Sequence, residues 1–413
     1  MYLSTARAAD STTAPRPGGT ARARVSGTVV ALGLVSLVTD ASAEMVTAVL
    51  PLYLMYGLSL GYLQLGALDA LYTGATALLR LAGGHLADRL ARPKAVAIVG
   101  YSLSALTKLG LPAVGGSLGG LSAVVAVDRA GKGIRTAPRD ALITQSTPAP
   151  ELGRAFGVHR ALDTAGALLG PLLAFGLIAA IPGGYDVVFS TSFCLAAIGV
   201  LILVFFVAQP HRAIARKAVS LRAGLSVITA PGLRRLVLAA GLLGLVTVGD
   251  MFLYVSVQRT ADLPPAVLPL LPLGTALTFM LAAIPFGRLA DRIGRWRLFL
   301  GGHGLLLGAY VLVASGTEGR IVAGVVLLLH GLFYAASDGV LMAYAAPFIP
   351  DHLRGTGLAV VQTAQAVARA VGAVGFGAVA ALADPGPTFA VFGIGLALAI
   401  VAGVRLMAPR GLA

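Results

Sequence analysis

Long apolar runs recur along the chain, each closed by a cluster of Gly, Pro or charged residues. They predict helices over residues 27–56, 61–87, 95–113, 119–146, 155–181, 187–208, 235–258, 265–288, 297–315, 320–347, 355–382 and 387–408. About 20 apolar residues suffice for a helix to cross the roughly 30 Å hydrocarbon layer of a bilayer. The pattern therefore predicts an all-α membrane protein of twelve transmembrane helices. A basic, weakly amphipathic stretch opening at Gln209-Pro210-His211-Arg212 divides the runs into two sets of six. The organisation expected is a basic, disordered cytoplasmic tail over 1–26, an N-terminal six-helix bundle over 27–209, a cytoplasmic linker over 210–234 and a C-terminal six-helix bundle over 235–413.

Composition agrees with this class. Hydrophobic residues make up 57% of the 413 and charged residues only 12%, where a soluble domain carries about 25% charged. Such a chain cannot cover itself with a polar surface. The net charge of +14 does not point to nucleic acid, because the basic residues lie between the apolar runs, where they act as a topology signal. Arg89, Arg92, Lys94, Arg212, Arg216, Lys217, Arg222, Arg234, Arg235, Arg292, Arg295 and Arg297 fall on one side, and little beyond Arg259 and Arg320 on the other. Retention of Lys and Arg in the cytoplasm then puts both termini inside. The location expected is the bacterial inner (plasma) membrane, multi-pass and monomeric, with the lipid bilayer and a small-molecule substrate as partners. The lone Cys194 excludes an intramolecular disulfide and a cysteine-based metal site. Arg7, Arg16, Arg22 and Arg24 stand among small and polar residues without the core and cleavage pattern of a signal peptide.

The two halves repeat one another. Gly84-His-Leu-Ala-Asp88-Arg89-Leu-Ala91-Arg92 recurs 203 residues later as Gly287-Arg-Leu-Ala-Asp291-Arg292-Ile-Gly294-Arg295, between the second and third helices of each half. Gly153-Arg154-Ala-Phe-Gly157 has a weaker echo in Leu353-Arg354-Gly355-Thr356-Gly357, before each fifth helix. Parallel halves of this kind point to a transporter with its site at the midplane between them.

Those loops resemble the signature of the major facilitator superfamily, Gly-x-x-x-Asp-Arg-x-Gly-Arg-Lys/Arg, with Ala91 in place of the second glycine in the first copy and Gly294 kept in the second. Arg129-x-x-Lys132-Gly133 on helix 4 is similar to that family's Arg-x-x-Gln-Gly pattern, and Gly166-x-x-x-Gly170-Pro171 on helix 5 resembles the pattern of its antiporter branch. Thr39-Asp40-x-x-x-Glu44 and the stretch from Gly131 to Asp140 resemble a bacterial and archaeal clade of the family. The resemblance implies two pseudo-symmetric six-helix bundles around a central cavity lined by helices 1, 4, 7 and 10. It also implies a gate built from Asp88, Arg89, Arg92, Asp291, Arg292 and Arg295. A carboxylate at the cytoplasmic end of helix 2 or 8 can face the N-terminus of a helix from the other half, where the dipole favours negative charge. Plain positive-inside charge is the other reading of these loops.

Ionisable groups inside a span are expensive, so function is the default hypothesis for them. On helix 4, Arg129, Lys132, Arg135, Thr136, Arg139 and Asp140 follow at mostly three- and four-residue steps, an arc of roughly 140°. Arg129 and Lys132, with Arg135 and Thr136, are candidates for attracting an anionic group of the substrate; a network tying helix 4 to its neighbours is the alternative. Arg139 and Asp140 lie nearer the gate. Asp40 and Glu44, four apart on helix 1, share a face and are candidate proton carriers, because desolvation and a neighbouring cation pull a carboxylate in opposite directions. Asp40 held in a fixed pair with Arg129 or Lys132 is the plainer reading. Asp250 is the corresponding candidate on helix 7. His159, Arg160 and Asp163 suggest a gate or interhelix bridge, and Gln362, Gln365 and Arg369 share a face of helix 11, where Gln365 and Arg369 can reach substrate. Asp69, Arg80 and Lys108 follow no pattern, Lys108 being placed to snorkel; His303 and His330 suit polar packing.

No Walker loop, nucleophile–base arrangement or metal-ligand cluster occurs in the sequence. The protein is therefore read as a non-enzyme without a cofactor, driven by an ion gradient, H⁺ in the first instance. The function expected is proton-coupled antiport, in the direction of export, of a small anionic or zwitterionic metabolite by alternating access. Efflux of lipophilic cations is the alternative within transport, and a non-transporting sensor or scaffold the alternative outside it.

Overall fold

The computed structural model describes residues 26–90, 92–148, 151–208, 230–350 and 353–408, excluding the side chains of 77, 78, 80–90 and 354–356. The tail expected over 1–26 and most of the linker expected over 210–234 thus lie outside the described residues. Among those described, every regular element is a helix. The first half comprises α1 (Gly27–Leu52), which runs on as a π-turn over Tyr53–Gly57, then α2 (Tyr62–Leu90), α3 (Pro93–Ala113), α4 (Leu118–Gln145), α5 (Leu152–Ala180) and α6 (Tyr185–Phe206). The second comprises α7 (Pro231–Leu245), α8 (Asp250–Thr260), a 3₁₀ turn over Pro265–Leu270 leading into α9 (Leu271–Ile293), α10 (Arg295–Ala314), α11 (Arg320–Ser337), α12 (Val340–Ala345), α13 (Arg354–Ala383) and α14 (Pro385–Met407).

Ten helical segments among the described residues are long and apolar enough to cross a membrane. Two further helices, α2 and α4, reach 29 and 28 residues. Their charges set them apart, six of them falling between Asp128 and Asp140 on α4 alone. Large apolar side chains point outward around the molecule, Phe205 74% and Ile321 84% exposed among them. A water-soluble monomer rarely presents so much apolar surface; hydrocarbon is its natural solvent.

Within the first half α1 lies against α5 and α6, α4 against α2 and α3, and α3 against α6. The second half repeats the scheme, α7 lying against α13 and α14, and α11 against α9 and α10. The halves meet chiefly along α2 and α13. Small residues make this seam close: a Cβ at Gly66 would come within 2.5 Å of the Ala373 carbonyl oxygen, and one at Gly377 within 2.5 Å of the Tyr62 carbonyl oxygen. Without a hydrophobic force between helices in lipid, such backbone approach is what lets them adhere.

Two expected spans are broken rather than continuous. The run over 235–258 divides into α7 and α8, and that over 320–347 into α11 and α12 at Asp338-Gly339. At the first break the Val248 N–H donates to the Tyr310 hydroxyl at 2.6 Å, that hydroxyl reaches the Val246 carbonyl at 3.3 Å, and the Thr247 hydroxyl donates to the Leu243 carbonyl at 2.8 Å. Side chains thus replace the lost helical bonds, as non-helical backbone at membrane depth requires. The second half also begins at Pro231, inside the expected linker, proline at the first helical position being pre-set for a helix start.

Candidate functional site

The first break and the α2–α13 seam border a cavity of about 250 Å³ between the halves. The first half contributes Glu44 and Thr47 from α1 and Asp69 and Tyr72 from α2; the second contributes Asp250 and Tyr254 from α8, Tyr334 from α11 and Arg369 from α13. Beyond it, toward the start of α2, the halves are sealed. The Tyr56 hydroxyl donates to Gln258 Oε1 at 2.7 Å, Arg259 Nη1 donates to the Tyr62 hydroxyl at 2.6 Å, and Phe252 lies between the rings of Tyr62 and Phe376.

The cationic face of α4 is largely neutralised. Asp128 takes Lys108 Nζ at 2.5 Å on one oxygen and the Arg129 guanidinium on the other, and the Ser104 and Thr107 hydroxyls complete its shell. Arg129 is 4% exposed and its guanidinium stacks 3.7 Å from the centre of the Tyr72 ring. It stands outside the main cavity lining, while Tyr72, on which it rests, forms part of that lining. Six residues on, toward the other end of α4, Arg135 faces Asp40 at 3.6 Å and lies over Tyr101. The Thr136 hydroxyl turns back to the Lys132 carbonyl. Lys132 forms no ion pair among the described residues, and its field falls on Asp40 and Glu44.

Beyond Asp40 a second cluster joins α4, α5 and α1. Arg139 binds Asp140 at 3.0 Å and approaches Asp163 at 3.8 Å; Arg160 binds Asp163 at 3.1 Å; His159 Nε2 and the Ser36 hydroxyl share a hydrogen bond of 2.8 Å. Sequence grouped His159, Arg160 and Asp163, and the structure adds the α4 residues to them. Gly166 and Gly170, whose spacing suggested an antiporter, bring α5 against α1: a Cβ at Gly170 would sit 2.6 Å from the Ala41 carbonyl oxygen.

In the second half Asp250 accepts a bond of 2.7 Å from the Tyr334 hydroxyl and faces His330 Nε2 at 3.4 Å. His330 in turn meets the Thr275 hydroxyl at 3.2 Å, and His303 Nδ1 lies 2.8 Å from the Phe299 carbonyl. Of the trio on helix 11, Arg369 reaches the cavity, while Gln362 and Gln365 are outside its lining. Among the gate candidates, Asp88 and Arg89 lie outside the described side chains. Arg92 and Arg292 are exposed; Arg295 binds Asp291 at 3.2 Å and the Ala343 carbonyl at 2.7 Å. Gly294 adopts φ 97°, a conformation that explains the glycine of this loop. The second loop is therefore tied to α12 of its own half.

Three functional candidates, Asp128, Tyr72 and Tyr334, escaped sequence reasoning, and Asp69 was noted there without a role. Asp128 was hidden in a run of cations, although lone opposite charges at Lys108 and Asp128, in consecutive spans, are a usable signal. Asp69 and the tyrosines Tyr72 and Tyr334 gave no pattern, because only the tertiary fold gathers them.

A family model described as Major Facilitator Superfamily matches residues 32–373. An uncharacterised MFS-type transporter of Methanocaldococcus jannaschii is 30% identical over 352 residues, covering 82% of this chain and 85% of that one. An uncharacterised protein of Mycobacterium tuberculosis is 34% identical over 158 residues, 38% of each chain. Among solved structures, the nucleoside transporter NupG superposes with a TM-score of 0.78 at 14% identity, covering 93% of this chain and all of the other. The peptide transporter POT in complex with sulfate does so with 0.74 at 16% identity, covering 95% and 96%. At such identities the likeness is one of fold.

Proposed function

The chain belongs to the Major Facilitator Superfamily, a family of membrane transporters rather than enzymes, and from that premise we propose that it exchanges a small polar metabolite for protons by alternating access. The observation that carries this reading is the cavity itself: charged groups from both halves face one space, and that space is sealed at one end by Tyr56–Gln258 and Arg259–Tyr62. Ionisable groups at such depth serve coupling or substrate. In this reading α2 and α4 are spans, making twelve, both termini are cytoplasmic, and the sealed end faces away from the cytoplasm. The chain works as a monomer in the inner membrane and needs no cofactor. Asp40 and Glu44 carry protons, with Asp250 as the second-half counterpart; Arg369 takes an anionic group of the substrate. Asp88 and Asp291, with the arginines beside them, close the cytoplasmic end. The helix 5 glycines and Pro171 tilt the direction toward export.

Reconstitution into proteoliposomes with a pH-sensitive dye inside tests the reading. An amino-acid, nucleoside or dipeptide mixture added outside should move protons only in vesicles that hold the protein. A sensor or scaffold moves none.

The carboxylates Glu44, Asp69 and Asp250 around the cavity favour a second reading, efflux of lipophilic cations. Cells expressing the protein would then accumulate less ethidium than cells expressing an Asp40→Asn variant.

A further inference from the structure

Four charged side chains line the cavity. Asp250 is bound by Tyr334 and faces His330. Asp69 makes no hydrogen bond or ion pair with a described residue, and its carboxylate is shut against the backbone of Gly249. Two charges of opposite sign remain, one on each half. Glu44, on α1, makes no hydrogen bond or ion pair with any described residue. Arg369, on α13, has no carboxylate within ion-pair distance among the described residues, and its Nε is buried without a hydrogen-bond partner. Its guanidinium is set over the rings of Phe333 and Tyr334 at 5.7 and 5.6 Å, which orients the fork without satisfying its donors. A buried donor left unpaired in a native structure asks for an explanation, and an anionic ligand supplies one.

We propose that the cavity binds a small zwitterion across the two halves, its anionic group on Arg369 and its ammonium on Glu44, and that a proton and this ammonium compete for Glu44. The proposal rests on the transport reading above and adds to it the substrate class and the reason for exchange. A purely anionic solute would leave its uncharged end beside Glu44, and a purely cationic one would leave Arg369 unpaired. Size agrees. A space of about 250 Å³ equals roughly eight waters at about 30 Å³ each, the scale of an amino acid or short peptide and below the range of drug-sized pockets.

The competition follows from what surrounds Glu44. Lys132, Arg129 and Asp128 face it from α4, Asp40 from one turn back on α1, and Tyr254 from α8. Asp128 is shared by Lys108 and Arg129, which leaves that cluster one positive charge in excess, and this excess with Lys132 and Asp40 sets the local balance. One carboxylate in a narrow space takes one positive charge, either H⁺ or R–NH₃⁺. When the ammonium arrives the proton leaves to water, and no other bond changes. The loaded and the protonated forms both switch between the two access states, and each turn exchanges one proton for one ammonium.

The experiment is a thermal shift on purified protein with three panels at 10 mM, about ten times a Kd of 1 mM: common α- and ω-amino acids with short dipeptides, their N-acetyl derivatives, and the matching decarboxylated amines. The zwitterions should raise Tm, and both other panels should bind at least about tenfold more weakly. Ligand addition in weakly buffered solution should release protons from the wild type and none from Glu44→Gln, while Glu44→Asp retains release. Arg369→Gln should lose binding, and Arg369→Lys should recover part of it. Equal binding by N-acetyl derivatives overturns the ammonium site, equal binding by amines overturns the Arg369 site, and no shift with any panel overturns the zwitterion assignment. Dye-filled vesicles that still move protons with nucleosides would in that case preserve the transport reading.

Discussion

The carboxylate of Asp69, on α2, lies directly against the backbone of Gly249 at the break between α7 and α8. A buried group of one half thus closes onto the weakest backbone of the other, and the same contact forms part of the cavity wall. A Cβ at position 249 would collide with that carboxylate. Gly249→Ala should therefore swing the Asp69 carboxylate off the break and loosen the sealed end. A cysteine at Thr247 should become more reactive to a membrane-impermeant reagent added from that side, and Gly249→Ala/Asp69→Ala should return toward the original protection. Unchanged reactivity in Gly249→Ala would remove this contact from the seal.

Asp128 holds two buried cations, Lys108 and Arg129. Removing one member of a buried ionic cluster leaves uncompensated charge and costs about 3–5 kcal/mol. Asp128→Asn should destabilise the protein by about that amount, read as the shift in a denaturation midpoint in detergent. A stable Asp128→Asn protein with weakened ligand binding would instead place Arg129 in the substrate site.

Asp40 faces Arg135 at 3.6 Å, with Lys132 in reach. Asp40→Asn should abolish accumulation of the zwitterionic panel driven by a pH gradient, yet retain exchange of labelled for unlabelled solute at equal pH. If the variant still concentrates solute, Asp40 carries no coupling proton, and the proton displaced from Glu44 drives exchange by itself.

Much of this molecule was legible in its sequence. The apolar runs and the repeat of Asp88-Arg89 as Asp291-Arg292 carried the two-part helical fold, because membrane insertion depends on local hydropathy. The breaks at Thr247-Val248-Gly249 and Asp338-Gly339 were not legible: each lies inside an apolar run, and the bonds that make the first one tolerable come from Tyr310, more than sixty residues away. Rotation about helix axes was the other loss. The three- and four-residue steps on α4 grouped its charges, but did not reveal that Asp128 takes up Arg129 while Arg369 turns to the cavity. Asp69, without periodicity, could be found only where α2 meets α8.

Alternating access is the central claim, and a distance across the sealed end tests it without knowledge of the substrate. Gly116 and Glu318 are exposed in the α3–α4 and α10–α11 connections, one in each half. Spin labels at Gly116→Cys and Glu318→Cys, with Cys194→Ser, would report their separation in lipid nanodiscs by pulsed electron resonance. Two distances are predicted, the shorter matching the sealed arrangement and the longer an opened one. Their proportions should shift as pH falls from 8 to 5, and Asp40→Asn should remove much of that shift. A single distance, unmoved by pH in the wild-type background, would contradict the account.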